Sequence, residues 1–143
     1  MGNISKNFKI QEFVPPAIYA QYGDRSQWFI DPKLVEIAEF IRAEFDLPVT
    51  INNWHIGGKF QERGYRVPTT TTGARYSQHK FGNAIDFNIQ GIPSPEVAEW
   101  VAASFPRLKG FGLTTMENPT DTPTWTHIDV RWTGMSELLI VNP

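Results

Sequence analysis

The chain has 143 residues, 41% hydrophobic and 13% aromatic with five tryptophans, which is material for one domain around one sizeable core. A formal net charge of −2 with 20% charged residues excludes both a disordered tail and the basic surface that nucleic acid demands. There is no cysteine, so disulfides and thiolate metal sites are excluded and any metal must be held by His, Asp or Glu.

Residues 1–30 are mixed and aromatic, with "VPP" at Val14–Pro16 breaking regular structure, and read as an extended arm packed on the core. The opening "MGNISKNFKIQEF" lacks the basic-then-apolar order of a secretion signal. It also misses the myristoylation pattern, because Lys6 stands where Ser or Thr is required. Asn3, in "NIS", is read as unmodified. No apolar run is long enough to span a membrane. The expectation is a soluble monomer, made in the cytoplasm without a signal peptide, with no membrane or nucleic-acid partner.

A helix is predicted next. Asp31 caps it, Pro32 takes the first helical position, and Leu34, Ile37, Ile41 and Phe45 recur at helical spacing. "LPVTIN", residues 47–52, reads as a short buried strand. Periodicity then dissolves over residues 53–75, a Gly-, Thr- and Arg-rich loop of a length usually kept for function. "NAIDFNI", residues 83–89, alternates cleanly, putting Ile85, Phe87 and Ile89 on one face and Ala84, Asp86 and Asn88 on the other. Ser94, Pro95 and Glu96 start a second helix expected to reach about Phe105. "GFGLTT" and "WTHIDVRW" read as antiparallel strands joined by the turn-rich "MENPTDTPT". Trp125, His127, Asp129 and Arg131 would share one face of the last strand, and Thr126, Ile128, Val130 and Trp132 the other. The fold class is α+β, a small antiparallel sheet flanked by helices, within one domain spanning 1–143.

Three residues carry the chemistry: His79, Asp86 and His127. A catalytic zinc takes three nitrogen or oxygen ligands and leaves one position open, a count that two His and one Asp meet without cysteine. Asp86 lies on an otherwise apolar strand, where an unpaired carboxylate would suffer heavy desolvation. A dication about 2 Å away removes that objection. In "SxHxxGxAxD", Gly82 permits a sharp turn between His79 and the strand of Asp86, and Ala84 leaves room beside the carboxylate.

"SQHKFGNAIDF" and "WTHIDVRW" resemble the two signature segments of the M15 zinc peptidases, and "NNWHIGGKFQERGYR" takes the place of that family's arginine-bearing loop. The resemblance runs from about Phe8 to Trp132. It is nearest the branch ending in a His-x-Asp strand, which includes murein endopeptidases and phage lysis or virion proteins. It implies a hedgehog/DD-peptidase-like fold, one Zn²⁺ per chain held by His79, Asp86 and His127, and hydrolysis of an amide bond in peptidoglycan stem peptides. Action at the cell wall would follow lysis, holin-assisted release or carriage in a virion. Many relatives carry a Glu three residues before the final zinc His; here that position is Thr124. The general base is therefore expected at Asp129, which could instead orient a zinc ligand or pair with Arg131 or Arg66. Glu117 is the alternative and Asp121 a weaker third. Arg66 matches the substrate-carboxylate arginine best, ahead of Arg63 and Arg75; Ser77 could bond the same group. His55 could line the site, the reading preferred here, or pack beneath Trp54, and Trp125 is expected to share the face of His127. The other reading is a non-catalytic, zinc-stabilised structural or wall-binding domain.

Overall fold

The computed structural model describes residues 2–143. It is α+β, with four α-helices, α1 (Pro16–Tyr22), α2 (Pro32–Phe45), α3 (Ser94–Ala103) and α4 (Phe105–Gly110), around a five-stranded sheet. The strands are β1 (Val49–Thr50), β2 (Ala84–Ile89), β3 (Thr115–Glu117), β4 (Thr126–Asp129) and β5 (Leu139–Val141), in the order β1-β2-β4-β3-β5.

Helix α2 forms as its sequence dictates. The Asp31 carboxylate accepts from the Lys33 amide at 2.9 Å, Pro32 opens the helix, and Asp46 closes it with φ 49°. Leu34, Ile37 and Ile41 are fully buried on one stripe, each contributing about 1.5–3 kcal/mol of apolar transfer. They pack with Ile85, Phe87 and Ile89 from β2, Ile128 from β4 and Val97 and Val101 from α3. The sheet thus spends one face on the helices. The alternation on β2 leaves Ala84 and Asp86 on the opposite face.

Register decides what meets there. Strands β2 and β4 pair antiparallel with Asp86 opposite His127 and Ala84 opposite Asp129. Side chains directly opposite on such a pair stand about 5 Å apart at Cβ on the same face. Two residues distant in sequence are therefore neighbours by ladder geometry alone.

Several elements differ from the sequence expectation. Residues 2–30 are not an extended arm: 3₁₀ turns at Ile10–Glu12 and Gly23–Phe29 flank α1. Pro15 and Pro16 begin α1 rather than break it, because a proline at the first turn gives up an amide that has no helical partner. This region does pack on the core, through Phe8 and Phe13, and builds a second cluster from Ile10, Val14, Ile18 and Tyr65. Strand β3 starts at Thr115, later than expected, because α4 runs to Gly110 and Gly112 turns the chain at φ 106°. Strand β5 pairs parallel with β3, an addition to an otherwise antiparallel sheet. Strand β4 ends at Asp129, so Trp132 lies beyond it, 90% exposed, and does not share a strand face with Ile128.

Candidate metal centre

Asp86 and His127 face each other from β2 and β4; His79 comes to them from a 3₁₀ turn, Gln78–Phe81, immediately before β2. That turn ends at Gly82 with φ 72°, where a Cβ would sit 2.2 Å from the Phe29 carbonyl oxygen, so only glycine serves. The Asp86 Oδ1 lies 3.1 Å from His79 Nε2 and 2.9 Å from His127 Nδ1. One ligand atom from each of the three falls within 4.8 Å of the others, and all three side chains are buried.

The outer nitrogen of each imidazole has an acceptor. His79 Nδ1 donates to the Gly64 carbonyl at 2.8 Å, and His127 Nε2 donates to Asp129 Oδ2 at 2.9 Å. Those bonds orient both rings so that His79 Nε2 and His127 Nδ1 face Asp86; without a metal His127 is protonated and Nδ1 donates to Asp86 Oδ1, and loss of that proton frees the Nδ1 lone pair for a metal. The Gly64 carbonyl is itself placed by the N-terminal region: Tyr65 donates to the Phe13 carbonyl at 2.8 Å. A Cβ at Gly64 would lie 2.3 Å from that same Phe13 oxygen. Two oriented imidazoles and one carboxylate, without sulfur, form a donor set that fits a divalent metal ion.

Electrostatics agree with the geometry. Burial alone would raise the Asp86 pKa, but His79 and the hydrogen bonds from both imidazoles hold it far below the usual carboxylate range. Burial would lower His127; its bonds to Asp129 and Asp86 instead push it up to about 9. Asp129, also opposed by burial, is held at about 2 by Arg131 and His127. Glu117 moves the other way. It ends β3 with Oε1 3.5 Å from His127 Nδ1, and burial raises its pKa. Neighbouring carboxyls with pKa values driven apart are the pattern by which acid and base roles are assigned in a site.

The sequence model described as Peptidase M15 matches residues 6–129. The chain belongs to the peptidase M15 family. No curated protein and no solved structure matches it significantly. Family membership makes a peptidase the coarse reading, and the His79–Asp86–His127 group is where an M15 chain of this sequence can hold its metal.

Around that group lies a cavity of about 570 Å³ that includes Arg66, Ser77, Glu117, Asp121, Trp125 and Arg131 in its lining. The other residues singled out in the sequence fall into place around it. Asp129 is fully buried. Its Oδ2 binds His127 and Arg131 Nη2, and its Oδ1 accepts from Arg131 Nε at 2.8 Å. Both oxygens are spent on orientation, so the Asp129 carboxylate has none free for a reactant. Arg66 donates from Nη2 to Asp86 Oδ2 at 3.2 Å and from Nε to the Glu62 carbonyl. Ser77 caps the turn, accepting from the His79 amide at 3.3 Å. Arg63 stacks 3.6 Å over Phe60 and bonds Asn88, while Arg75 lies 5.2 Å from the Tyr76 ring.

His55 is a correction to the preferred reading: it is not among the residues lining this cavity, and from the 3₁₀ turn Trp54–Ile56 it packs edge-on to Trp54 with ring centroids 5.9 Å apart, the alternative reading. Asp121 sits exposed at the cavity mouth, in the turn after β3. Thr124 is exposed, with its carbonyl accepting from Asn88 Nδ2 at 2.8 Å. The sequence reading missed the Gly64 carbonyl and the wall formed by Val141, Asn142 and Pro143. No local pattern announces either, since both depend on long-range pairing. Arg131 as the clamp on Asp129 was visible as an i, i+2 pair on one strand face.

Proposed function

We propose that the chain is a zinc-dependent peptidase that hydrolyses an amide bond in the peptide part of bacterial peptidoglycan. The observation that carries this reading is the pairing of a metal-ready His-Asp-His group with a carboxyl of raised pKa, Glu117, 3.5 Å from one of the ligands. Two imidazoles and a carboxylate are a ligand set that catalytic zinc takes, and the choice of zinc among divalent ions rests on the motif resemblance. When bound, the ion supplies Lewis-acid polarisation of the scissile carbonyl and acidifies water.

The protein's own groups do the rest. Glu117 is the general base, and returns its proton to the leaving amine; burial raises its pKa above the ordinary carboxylate value, the direction that strengthens a carboxylate as a base. It takes the role left vacant by Thr124, from the end of β3 rather than from three residues before the last ligand. Asp129 holds His127 in the ligating tautomer, and Arg66 holds the second oxygen of Asp86. Ser77 and Trp125 line the path of the substrate. Peptidoglycan stem peptides as the substrate class rest on the motif resemblance, as do the routes to the wall by lysis, holin-assisted release or a virion. No described helix is long and apolar enough to cross a membrane.

Mass spectrometry of defined muropeptides incubated with the zinc-loaded protein tests the proposal. Hydrolysis at one amide bond is the expected result, and the fragments identify that bond. Intact muropeptides at full zinc occupancy would instead favour a structural or wall-binding domain.

A further inference from the structure

The register of the sheet carries further than the three ligands. Asp86 on β2 stands opposite His127 on β4. Strand β3 pairs with β4 as Met116 to Ile128, so the next step sets Glu117 opposite His127, in keeping with their 3.5 Å contact. Strand β5 in turn sets Val141 opposite Glu117. Asp86, His127, Glu117 and Val141 therefore form one row across one face of the sheet, at about 5 Å per strand. All four line the cavity.

The row has a direction. A general base that returns its proton must reach the nitrogen of the leaving amine, so the residue supplying that amine lies on the Glu117 side of the metal. Val141 is the next side chain on that side. It is half-buried and carries no polar atom, so it offers a wall to an aliphatic chain. Beyond it, the end of β5 is tied to the turn after β3. The Asn118 amide donates to the Val141 carbonyl at 2.8 Å, and the Asp121 amide to the Asn118 carbonyl at 2.9 Å.

These segments open into a further hollow of about 450 Å³, lined by Asn118, Thr120, Asp121, Asn142 and Pro143. Asp121 is the one charged side chain in that lining, and among the described residues no hydrogen bond or ion pair engages its carboxylate. The cationic groups of the site stand elsewhere. Arg66 is bound to Asp86 at the opposite end of the row. Arg131 is gripped by Asp129, and β3 and β5 run from the level of Asp129 away towards Asn118 and Asn142.

We propose that Val141 and Asp121 are specificity-determining residues on the leaving-amine side of the site, receiving a side chain with an aliphatic stem and a cationic head, as lysine has. This rests on the peptidase reading of the cavity and deepens it by naming the residue preferred after the scissile bond. The stem lies along Val141 and the head meets Asp121.

The test uses N-phosphoryl amino-acid amides, in which a tetrahedral phosphorus replaces the scissile carbonyl carbon and the nitrogen is that of the leaving amine. Their oxygens suit zinc, and the amide cap leaves no carboxylate for an arginine to bind. Calorimetry with the zinc-loaded protein compares glycine, norleucine, lysine and glutamate at that residue, alongside zinc content by elemental analysis. Each chiral residue is tried in its L and D forms and the tighter form taken. Norleucine binds about tenfold tighter than glycine through partial burial of its stem. Lysine binds about threefold tighter than norleucine, the worth of one exposed ion pair, and glutamate binds more weakly than norleucine.

In Val141→Ser the preference for norleucine over glycine falls to about threefold, as an apolar contact is lost. In Asp121→Asn lysine and norleucine bind equally, with zinc content unchanged. A native protein that binds glycine as tightly as norleucine, or norleucine as tightly as lysine, overturns the proposal, as do preferences unchanged in the two variants. Should Val141→Ser not fold, Asp121→Asn, in an exposed turn, decides: an undiminished preference for lysine there overturns the proposal. Muropeptides left intact while this order of affinities holds would sink the peptidase reading alone, and cleavage without this order would sink the inference alone.

Discussion

Two hollows among the described residues differ in kind, and the larger of the two is the less informative. A groove of about 980 Å³ lies between the N-terminal region and α2, lined largely by apolar side chains such as Ile4, Trp28, Val35, Phe40 and Phe111. The cavity over β2 and β4 is smaller, about 570 Å³. In the large groove the carboxylate of Glu39 is fully answered by Ser5 and Asn7, which together outweigh burial and lower its pKa. In the small one Asp86 and His127 are buried and shifted, with Asp129 buried and shifted behind His127 and Glu117 shifted upward beside them. Room is easily left between helices. Buried charge persists only where partners offset its desolvation. The location of strained ionisation, rather than volume, therefore identifies the chemistry.

That contrast can be broken by substitution. His127→Ala should have the largest effect, abolishing stoichiometric metal and reducing muropeptide hydrolysis to background, as read by elemental analysis and product release. Glu117→Gln should retain the metal and lower kcat by about 10²–10⁴-fold, the usual share of a general base; an unchanged kcat would move the base elsewhere. Metal affinity should also follow pH. In the metal-free protein His127 is protonated up to about pH 9, so ligation releases a proton and affinity should climb about tenfold per unit towards that value. The same shift has the opposite sign for the metal-free fold: its stabilisation is complete below the ordinary pKa of 6.5 and is lost as pH rises through about 9. Chelator competition and thermal melts across this window check both directions. Asp129→Asn should weaken metal binding by about 10–100-fold, as loss of an orienting acceptor does. Phe40→Ala, in the large groove, should cost about 2 kcal/mol in urea denaturation and leave metal content and turnover unchanged. A loss of turnover there would mean the two hollows are coupled.

How much of this was legible in the sequence depends on how far each signal had to travel. Helix α2 and strand β2 were readable because their caps and periods are local: Asp31, Pro32, and the alternation Ile85, Phe87, Ile89. The ligand group was readable because each residue sits in a compact motif whose register follows from strand geometry. The roles of the acids were not. Asp129 and Glu117 both stood near the last ligand, and only the fork from Arg131 shows that the Asp129 oxygens are already spent. Helix α1 was hidden by Pro15 and Pro16, which read equally as a break or a start. Strand β5 was hidden because its partner, β3, lies more than twenty residues away in a parallel pairing that leaves no hairpin turn in the chain. His55 misled because a histidine beside tryptophan in a long loop looks the same in sequence whether it faces a metal or packs on a ring.

The most direct test is an anomalous difference map at the zinc edge from crystals of the zinc-loaded protein. The account predicts one strong peak per chain, within bonding distance of His79 Nε2, an Asp86 carboxylate oxygen and His127 Nδ1, with Glu117 facing the open side. A map with no peak among those three side chains at saturating zinc, or with its peak on other residues, would contradict it.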